Sequence, residues 1–301
     1  MVESLLFTGG TGFLGYNCRP ILNNNYRVTT CGITEADDIK ANLAEEVPVL
    51  PNHFDVVLHA CGKAHVVPKT EKEKQQFYDI NYQGTVNLCK GLEKVGAPKS
   101  LVFVSTANVY GLDEGKMISE SAPLLAETPY GRSKVMAEEY LQGWCKEHGV
   151  ILTILRPSLM AGKNAPGNLG AMVNGIEKGF YVNIAEGKAR KSLMMAEDIA
   201  NLVVLAEDKG GIYNVCDDVH PSYKELSYVI AKQLGKNMPI SIPYWIAWFM
   251  AKVGDLLGGK APINSYRLKK LTTSCTYSNE KAKRDLGWKP KDVLSFFEIC
   301  K

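Results

Sequence analysis

Several features of membrane, metal-binding and secreted proteins are missing from this sequence of 301 residues. It has no run of the roughly 18 apolar residues that a membrane-spanning helix needs. Its eight cysteines include no C-x-x-C pair, so neither a zinc site nor a disulfide-rich scaffold is indicated. Residues 1–6 hold no basic stretch and lead straight into an apolar run, which is not typical of an export signal. These absences predict no integral membrane segment, no metal site and a cytoplasmic location.

The sequence also has little net charge. The 35 Lys and Arg residues nearly balance the 32 Asp and Glu residues, which leaves a net charge of +3, and they form no basic blocks. This balance argues against a nucleic-acid partner. The hydrophobic fraction of 46% is that of an ordinary globular protein with a sizeable core.

Short apolar runs alternate with longer helix-like stretches through the first half of the chain. This alternation predicts βαβ units, and hence an α/β fold with a Rossmann-like, doubly wound parallel sheet. Pro20 falls inside the first helix and should shorten or kink it. The predicted strands are 5–7, 28–30, 56–58, 101–104, 151–155 and 211–215, and the predicted helices are 14–24, 71–95 and 130–148.

The pattern changes after Pro157. Residues 161–170 are rich in Gly, Pro and Asn and indicate a loop, and residues 221–288 have mostly helical patterns with turns. We therefore expect a larger unit and a smaller, mostly helical C-terminal lobe. The larger unit comprises 1–161 plus about 193–215, and the lobe comprises about 162–192 plus 216–301.

A glycine-rich motif follows the first predicted strand. It reads Thr8-Gly9-Gly10-Thr11-Gly12-Phe13-Leu14-Gly15, a T-G-x-x-G-x-x-G run. Glycines at such a turn let backbone N–H groups approach a pyrophosphate at a helix N-terminus. A tight turn without a ligand is the alternative, but the strand–turn–helix context favours dinucleotide binding.

Two further motifs supply hydroxyl groups and a cation. Tyr130 and Lys134 are four residues apart and so share one face of a predicted helix. A phenol, with a pKa of about 10, needs a neighbouring cation to act as an acid or base near neutral pH. Ser105 and Thr106 follow a buried strand, where doubly wound folds bind ligands. Each motif alone also fits a solvated helix face or a simple strand end, so their combination carries the prediction.

Together these motifs resemble those of the extended short-chain dehydrogenases/reductases, in the NAD-dependent epimerase/dehydratase group. The resemblance covers nearly the whole chain and includes Leu286-Gly287-Trp288-Lys289-Pro290, similar to the group's late L-G-W-x-P segment. It implies that Tyr130 is the catalytic acid/base, that Lys134 is its partner and that Thr106 orients the substrate. It also implies that the larger unit binds NAD(P) and that the lobe binds the substrate.

The resemblance assigns cofactor contacts to positions in the glycine motif, at the strand ends and on the catalytic helix. These are Gly9, Thr11, Gly12, Phe13, Leu14, Gly15, Gly32, Asn42, Leu43, Ala60, Tyr130, Lys134 and Pro157. Asn42 stands where the family has Asp. Asn81 matches a position that braces the sheet near the active site, although an ordinary polar residue at a helix N-terminus fits it equally well.

The substrate implied by the resemblance is a nucleotide-diphosphate sugar that is reduced or epimerised at C4 in surface polysaccharide synthesis, by a homodimer. Its diphosphate would contact Asn168, Arg190, Lys191 and Lys270. Lys191 replaces the usual Arg, which removes a bidentate phosphate contact unless Arg190 supplies it. Dehydratases of the group resemble Thr-Asp-Glu where this chain has Thr106-Ala107-Asn108, so elimination of water is disfavoured.

Gly32, at the end of the second strand, leaves the choice of cofactor open. NAD sites normally carry Asp or Glu there and NADP sites usually an Arg, whereas this chain reads Cys31-Gly32-Ile33-Thr34. We expect NAD or NADP with a slight preference for NADP, and this preference tilts the prediction towards reduction rather than epimerisation.

Two other functions fit the same motifs. A hydroxysteroid- or flavonoid-type dehydrogenase would not need Arg190, Lys191 and Asn168 near the cleft. A non-catalytic NAD(P)-sensing protein would be expected to lose Tyr130 or Lys134. The aromatic stretch 243–250 fits a core helix or a lid over the cleft better than a membrane contact, because no basic face accompanies it.

Overall fold

A seven-stranded parallel sheet lies at the centre of the computed structural model, which describes residues 2–257 and 263–299. The strands of the described chain are β1 Ser4–Thr8, β2 Arg27–Gly32, β3 Ile39–Lys40, β4 Val56–His59, β5 Ser100–Val104, β6 Gly115–Ile118, β7 Ile151–Pro157, β8 Leu159–Ala161, β9 Asn183–Ile184, β10 Leu193–Met195, β11 Gly211–Val215, β12 Ser241–Ile242 and β13 Cys275–Tyr277. The order in the central sheet is β11-β7-β5-β4-β1-β2-β3. Three two-stranded parallel pairs, β8 with β10, β9 with β12 and β6 with β13, lie outside it.

Helices cover both faces of the central sheet. The helices of the described chain are α1 Phe13–Leu22, α2 Glu71–Tyr78, α3 Gly84–Val95, α4 Pro129–His148, α5 Gly167–Glu177, α6 Asp198–Ala206, α7 Tyr223–Leu234, α8 Tyr244–Leu257, α9 Ser265–Thr272, α10 Glu280–Leu286 and α11 Val293–Phe296, with a π-helical turn at Asp79–Gln83 and 3-10 turns at Ala107–Tyr110 and Ala185–Gly187. Leu5 and Phe7 of β1 pack with α1 and α6, whereas Leu6 packs with α3 and α4. Both faces of the strand are therefore buried, which confirms the predicted doubly wound fold.

The chain reverses its direction of travel across the sheet at β1. β1 pairs with β2 on one side and with β4 on the other, so the connections that follow β1 and β4 lead to strands on opposite sides of β1. Ligands of doubly wound folds bind in the crevice at such a point.

Pro20 lies inside the first helix, as expected. α1 continues past Pro20 and stops at Leu22, two residues before its predicted end; Pro20 itself has no N–H to bond the carbonyl of Tyr16. The predicted helix 71–95 forms as α2, the π-helical turn and α3 in succession.

The C-terminal part of the chain divides between the lobe and the sheet. α5, α7 and α11 share a buried cluster of their own. Ala282, Leu286 and Trp288, which the predicted lobe includes, are instead buried in the same cluster as α6 and Tyr213 of β11. Residues 258–262 and 300–301 of the predicted lobe lie outside the described residues.

α8 carries its large side chains on the outside. Its buried residues are Ala247, Ala251 and Gly254, whereas Trp245 and Phe249 are 70% and 64% exposed. The prediction of a core helix over 243–250 is therefore wrong, because the stripe of small residues and not the aromatic rings packs against the lobe. A lid over the cleft, the other expectation for this stretch, stays a prediction. No helix in the described ranges is long and apolar enough to cross a bilayer.

Candidate active site

The glycine motif forms the turn between β1 and α1. Gly9 has a φ of +76°, a conformation that favours glycine. A Cβ on Gly15 would lie 1.8 Å from the carbonyl oxygen of Gly10, so no side chain fits where the helix meets the turn. A Cβ on Gly12, the N-cap of α1, would meet nothing nearer than 3.4 Å. The turn therefore leaves the helix N-terminus open to a phosphate group and fits a dinucleotide pyrophosphate.

Other predicted cofactor residues lie along the same edge of the sheet. Thr11 is in the turn, Phe13 and Leu14 begin α1, Ala60 follows β4 and Pro157 ends β7. A Cβ on Gly9 would lie 3.0 Å from the Cα of Cys61. The turn after β1 thus touches the segment after β4 and closes one side of the crevice.

Asn42 and Leu43 follow β3, at the edge of the sheet. The side-chain Oδ1 of Asn42 accepts a hydrogen bond from the N–H of Ala44 at 3.2 Å. Leu43 is buried, and its backbone carbonyl accepts a hydrogen bond from Asn87 Nδ2 at 2.8 Å. These contacts hold the loop in place and tie it to α3; contact with an adenine ring stays a prediction.

Asp37 brings a carboxylate to the end of β2, where the sequence has Gly32. A Cβ on Gly32 would lie 2.6 Å from Asp37 Oδ2 and 2.9 Å from Oδ1, so the carboxylate fills the space that a side chain at residue 32 would enter. Oδ2 accepts hydrogen bonds from the Thr11 hydroxyl at 3.1 Å and from the N–H and hydroxyl of Thr34 at 3.0 and 2.8 Å. Oδ1 is buried without a partner in the described chain, a costly state for a carboxylate unless a ligand supplies a donor. Sequence reasoning missed Asp37 because a loop of four residues separates it from the strand end.

Tyr130 lies in the first turn of α4, whose start is sharply defined. The Thr128 hydroxyl accepts a hydrogen bond from the N–H of Gly131, and Pro129 opens the helix. Burial raises the pKa of Tyr130, and a hydrogen bond with the Thr106 hydroxyl opposes this shift. The structure therefore brings Thr106 and Tyr130 together.

Lys134 lies one turn further along α4 and is 4% exposed. Its ammonium donates a hydrogen bond to the carbonyl of Val104 at 2.9 Å and lies 4.6 Å from the centre of the Phe103 ring. Burial lowers the pKa of Lys134 to about 8, while Cys61 and Glu138 act in the opposite direction. The lowering of the Tyr130 pKa by Lys134 stays a prediction.

A buried polar network beneath this pair was missed from the sequence. Arg156 Nε and Nη2 lie 3.1 and 2.6 Å from the two carboxylate oxygens of Glu138. Glu138 also accepts a hydrogen bond from the Ser105 hydroxyl at 2.5 Å, and Arg156 donates one to the Tyr110 hydroxyl at 3.1 Å. Because Ser105 is engaged here, the network supports the choice of Thr106 as the hydroxyl that faces the crevice. The spacing of Glu138 from Lys134, four residues, was the available signal.

Asn81 braces the crevice from within the π-helical turn. It is 1% exposed, its Nδ2 donates to Ser133 Oγ at 2.9 Å and its Oδ1 accepts from the N–H of Lys63 at 2.7 Å. Ser133 lies between Tyr130 and Lys134 in α4, so Asn81 ties the segment after β4 to α4. Asn81 is in the middle of a helical segment, so the helix N-terminal alternative is wrong.

Arg190 has partners within the described chain. Its Nη1 donates to the carbonyl of His220 at 2.8 Å and lies 3.2 Å from the carboxylate of Glu225 at the start of α7. These partners engage the guanidinium, so it does not take the place of the Arg that Lys191 replaces. Asn168 is exposed in the first turn of α5.

Lys191 and Lys270 interact electrostatically, although they are 79 positions apart in sequence. Burial lowers the pKa of Lys191, and the like charge of Lys270 adds to this shift while Cys275 and Asp113 oppose it. Lys270 Nζ lies 3.1 Å from Asp113. Because the charge of Asp113 acts on both lysines, it balances them only in part and leaves positive charge available for an anionic ligand.

Comparisons with known proteins identify the family and the fold of the chain. The model of the NAD dependent epimerase/dehydratase family matches residues 5–216. A UDP-glucose 4-epimerase from Vibrio cholerae is 28% identical over 322 residues, covering 98% of this chain and 93% of the relative. The N-acetyl-alpha-D-glucosaminyl-diphospho-ditrans,octacis-undecaprenol 4-epimerase of Escherichia coli O157:H7 is 26% identical over 301 residues, covering 93% of this chain and 89% of the relative. In fold, the chain is similar to the UDP-glucose 4-epimerase of Thermotoga maritima solved with UDP-glucose, with a TM-score of 0.75, 19% identity and coverage of 98% and 96%.

Proposed function

Because the chain belongs to the NAD dependent epimerase/dehydratase family, we propose that it interconverts C4 epimers of a nucleotide-diphosphate sugar with a retained nicotinamide cofactor. The meeting of Thr106, Tyr130 and the buried Lys134 beside the open glycine turn carries this proposal. The activity in the names of the relatives, epimerisation at C4, supports it. Surface polysaccharide synthesis and a homodimer packed through helices are predictions that accompany it.

Tyr130 moves the proton in this proposal. Its phenolate takes the proton from the C4 hydroxyl, and the Thr106 hydroxyl donates a hydrogen bond to the same oxygen. Lys134 stabilises the phenolate, since a nearby cation favours the charged form of an acid. The nicotinamide ring, when bound, supplies the acceptor and donor of the C4 hydride. After the 4-keto sugar has turned its other face, Tyr130 returns the proton.

Lys191 and Lys270 hold the diphosphate in this proposal. Their ammonium groups share a partly buried site in which an anion would relieve their mutual repulsion. Two point charges replace the bidentate Arg usual at this position. Asn168 is proposed as a further contact, whereas the engaged Arg190 is left out of the site.

Asp37 favours NAD, against the preference for NADP drawn from Gly32. A carboxylate at the end of β2 accepts hydrogen bonds from a ribose hydroxyl and repels a 2′-phosphate. Asp37 Oδ1 has unused acceptor capacity. A retained NAD suits epimerisation, because the hydride removed from C4 is given back and no net reduction takes place.

The reaction is tested with purified protein and two pairs of C4 epimers, those of UDP-glucose and UDP-N-acetylglucosamine. We expect interconversion within one pair without a net change in nicotinamide absorbance. Stoichiometric consumption of reduced cofactor with a 4-keto sugar would replace epimerase by reductase. Release of water would contradict the argument from Ala107 and Asn108.

Cofactor choice is tested by titrating NAD and NADP into the wild type, Asp37→Asn and Asp38→Asn, followed by protein fluorescence. We expect the wild type to bind NAD roughly tenfold or more tightly than NADP, since a hydrogen bond to a charged group contributes about 1.5–3 kcal/mol. Asp37→Asn should remove most of this preference. Asp38 is the matched control, because its carboxylate accepts from Thr30 of β2 at 2.8 and 2.9 Å instead. Equal binding of both cofactors by the wild type would sink the assignment.

A further inference from the structure

One side of α8 presents large apolar side chains to solvent. We call Tyr244, Trp245, Trp248, Phe249, Val253 and Leu256 the α8 face. Trp245, Phe249 and Leu256 are 70%, 64% and 88% exposed, and two of the four tryptophans of the chain lie here. The residues repeat at helical spacing and form one continuous stripe. A stripe of this size on a protein surface marks a place where a partner removes it from water.

The described segments on either side of this face are rich in basic residues. Residues 236–257 and 263–270 hold five Lys and Arg residues and one acidic residue, Asp255, so they carry more positive charge than the net charge of the whole chain. Asp255 accepts hydrogen bonds from the N–H and hydroxyl of Ser265 at 2.9 and 2.5 Å. Its carboxylate also lies 4.0 Å from Lys252 Nζ, so it offsets one of these five positive charges.

The basic groups come from the helix beside α8 as well as from α8 itself. Leu268 of α9 is buried in a cluster with Ala247 and Ala251 of α8, which holds the two helices together. Lys269 of α9 is exposed, and Lys252 Nζ lies 5.7 Å from the centre of the Trp248 ring. Residues 243–250 have no basic residue of their own, and the packing of α9 against α8 brings basic residues next to this stretch.

We propose that the α8 face docks this protein on the surface of an anionic lipid bilayer. Aromatic and aliphatic side chains on one face of a helix enter the boundary between headgroups and acyl chains, while neighbouring Lys and Arg bind lipid phosphates. Lysine stems allow the ammonium to reach the headgroups while Trp248 stays below. α8 has 14 residues, which is too short to span a bilayer, so the helix lies in the plane of the surface.

The charge pattern favours lipid over a second copy of this chain. Pairing two α8 faces would bring two positively charged segments together, and protein interfaces are depleted in lysine. An anionic bilayer neutralises the same charges. The proposal does not depend on the sugar chemistry proposed above.

Binding is tested by flotation of the full chain with vesicles of phosphatidylcholine alone and with about one-third phosphatidylglycerol added. The exposed Trp245 and Trp248 report insertion by a blue shift of fluorescence and by quenching from brominated acyl chains, because Trp144 and Trp288 are buried. We expect flotation only with anionic vesicles, and its weakening as salt rises. Absence of flotation with either vesicle would overturn the proposal.

Two variants separate the apolar and charged contributions. Trp245→Ser/Trp248→Ser should lower vesicle binding at least about tenfold, since each buried aromatic side chain contributes a comparable factor. Lys252→Glu/Lys269→Glu should remove the preference for anionic lipid. The control is Val49→Ser/Val204→Ser, two exposed apolar residues far from α8 in sequence, which should bind like wild type. Circular dichroism and thermal unfolding confirm that each variant is folded. Unchanged vesicle binding by both double variants would contradict docking on lipid. So would a wild type that does not bind vesicles but forms a dimer that Trp245→Ser/Trp248→Ser disrupts.

Discussion

Around Tyr130 the protein buries charged side chains, whereas along α8 it exposes aromatic ones. The side chains of Glu138 and Arg156 are 0% and 4% exposed, and Trp245 is 70% exposed. Each buried charge has partners within the chain, because an unpaired one would be costly in a medium of low dielectric constant. The aromatic side chains of the α8 face, in contrast, are about half exposed or more within the described chain. Glu138 and Arg156 are thus paired within the described chain, whereas the α8 face is the part of the surface that we propose a lipid bilayer covers.

This contrast predicts different consequences of substitution. Changes around Tyr130 should alter chemistry and the free energy of unfolding, whereas changes on the α8 face should alter association.

Tyr130→Phe removes the proton-transfer group and leaves the crevice filled. Turnover should fall by about 10²–10⁴-fold, the usual contribution of general acid–base catalysis, while dinucleotide binding stays near that of wild type. Steady-state rates and a cofactor titration measure the two effects. Tyr140→Phe, on the same helix but outside the catalytic pair, is the control. Wild-type turnover in Tyr130→Phe would exclude the assigned role.

Glu138→Gln leaves the guanidinium of Arg156 buried without its counter-charge. Breaking a buried ion pair on one side costs about 3–5 kcal/mol, so the free energy of unfolding in urea should fall by this amount. Glu71→Gln, which removes a partner of Lys74 with 87% of the Glu71 side chain exposed, should cost about 0–1 kcal/mol. Similar costs for the two variants would show that the network beneath Tyr130 contributes no more than a surface pair.

His59 makes the crevice sensitive to acid. It lies between the hydroxyls of Thr8 and Thr85, 2.7 and 2.9 Å away, and burial lowers its pKa to about 3, with Lys134 acting in the same direction. Below about pH 6.5 the unfolded chain takes up a proton that the folded chain refuses, so the free energy of unfolding falls as the pH falls towards 3.

Urea unfolding between pH 7 and pH 4 measures this effect. By pH 4 the wild type should lose roughly 3 kcal/mol more than His59→Gln. The control, His53→Gln, removes an exposed imidazole and should follow the wild type. Parallel curves for wild type and His59→Gln over this range would contradict the assignment.

Lys191→Met tests the proposed diphosphate site. Loss of one charged contact should weaken the binding of a nucleotide-diphosphate sugar roughly tenfold, with a smaller change in turnover. Arg190→Met, which removes a side chain already engaged by Glu225, should change binding by less than about threefold. Isothermal titration calorimetry at two salt concentrations gives the dissociation constant of each variant, and steady-state rates give its turnover. A larger effect of Arg190→Met than of Lys191→Met would indicate that the diphosphate binds at Arg190 and not at Lys191.

The features that the sequence predicted well are those encoded in short segments. Each central strand is a continuous apolar run because both faces of a parallel sheet are buried, and the glycine turn needs its small residues wherever the chain goes next. Asp37 and Glu138 escaped because their roles depend on loop conformation and on residues far away in the chain. The prediction of a core helix over 243–250 was wrong because it rested on the number of aromatic residues, whereas the buried side of α8 is formed by three small residues. The roles of Lys191 and Lys270 at a diphosphate stay predictions, while the ion pair of Arg190 with Glu225 depends on a tertiary contact with α7 that the sequence does not show.

The position of α10 and Trp288 affects the order in which parts of the molecule can fold during synthesis. They share a buried cluster with α6 and β11. The helix and edge strand formed by residues 198–215 are therefore fully packed only after a segment some 70 residues later in the chain has been synthesised. During translation, the glycine turn and the catalytic helix emerge first and can assemble around β1, β4 and β5. Until residue 288 has left the ribosome, apolar side chains such as Tyr213 and Leu202 stay uncovered. A pause in synthesis between residues 215 and 280 would therefore prolong the stage at which the nascent chain is most prone to aggregate.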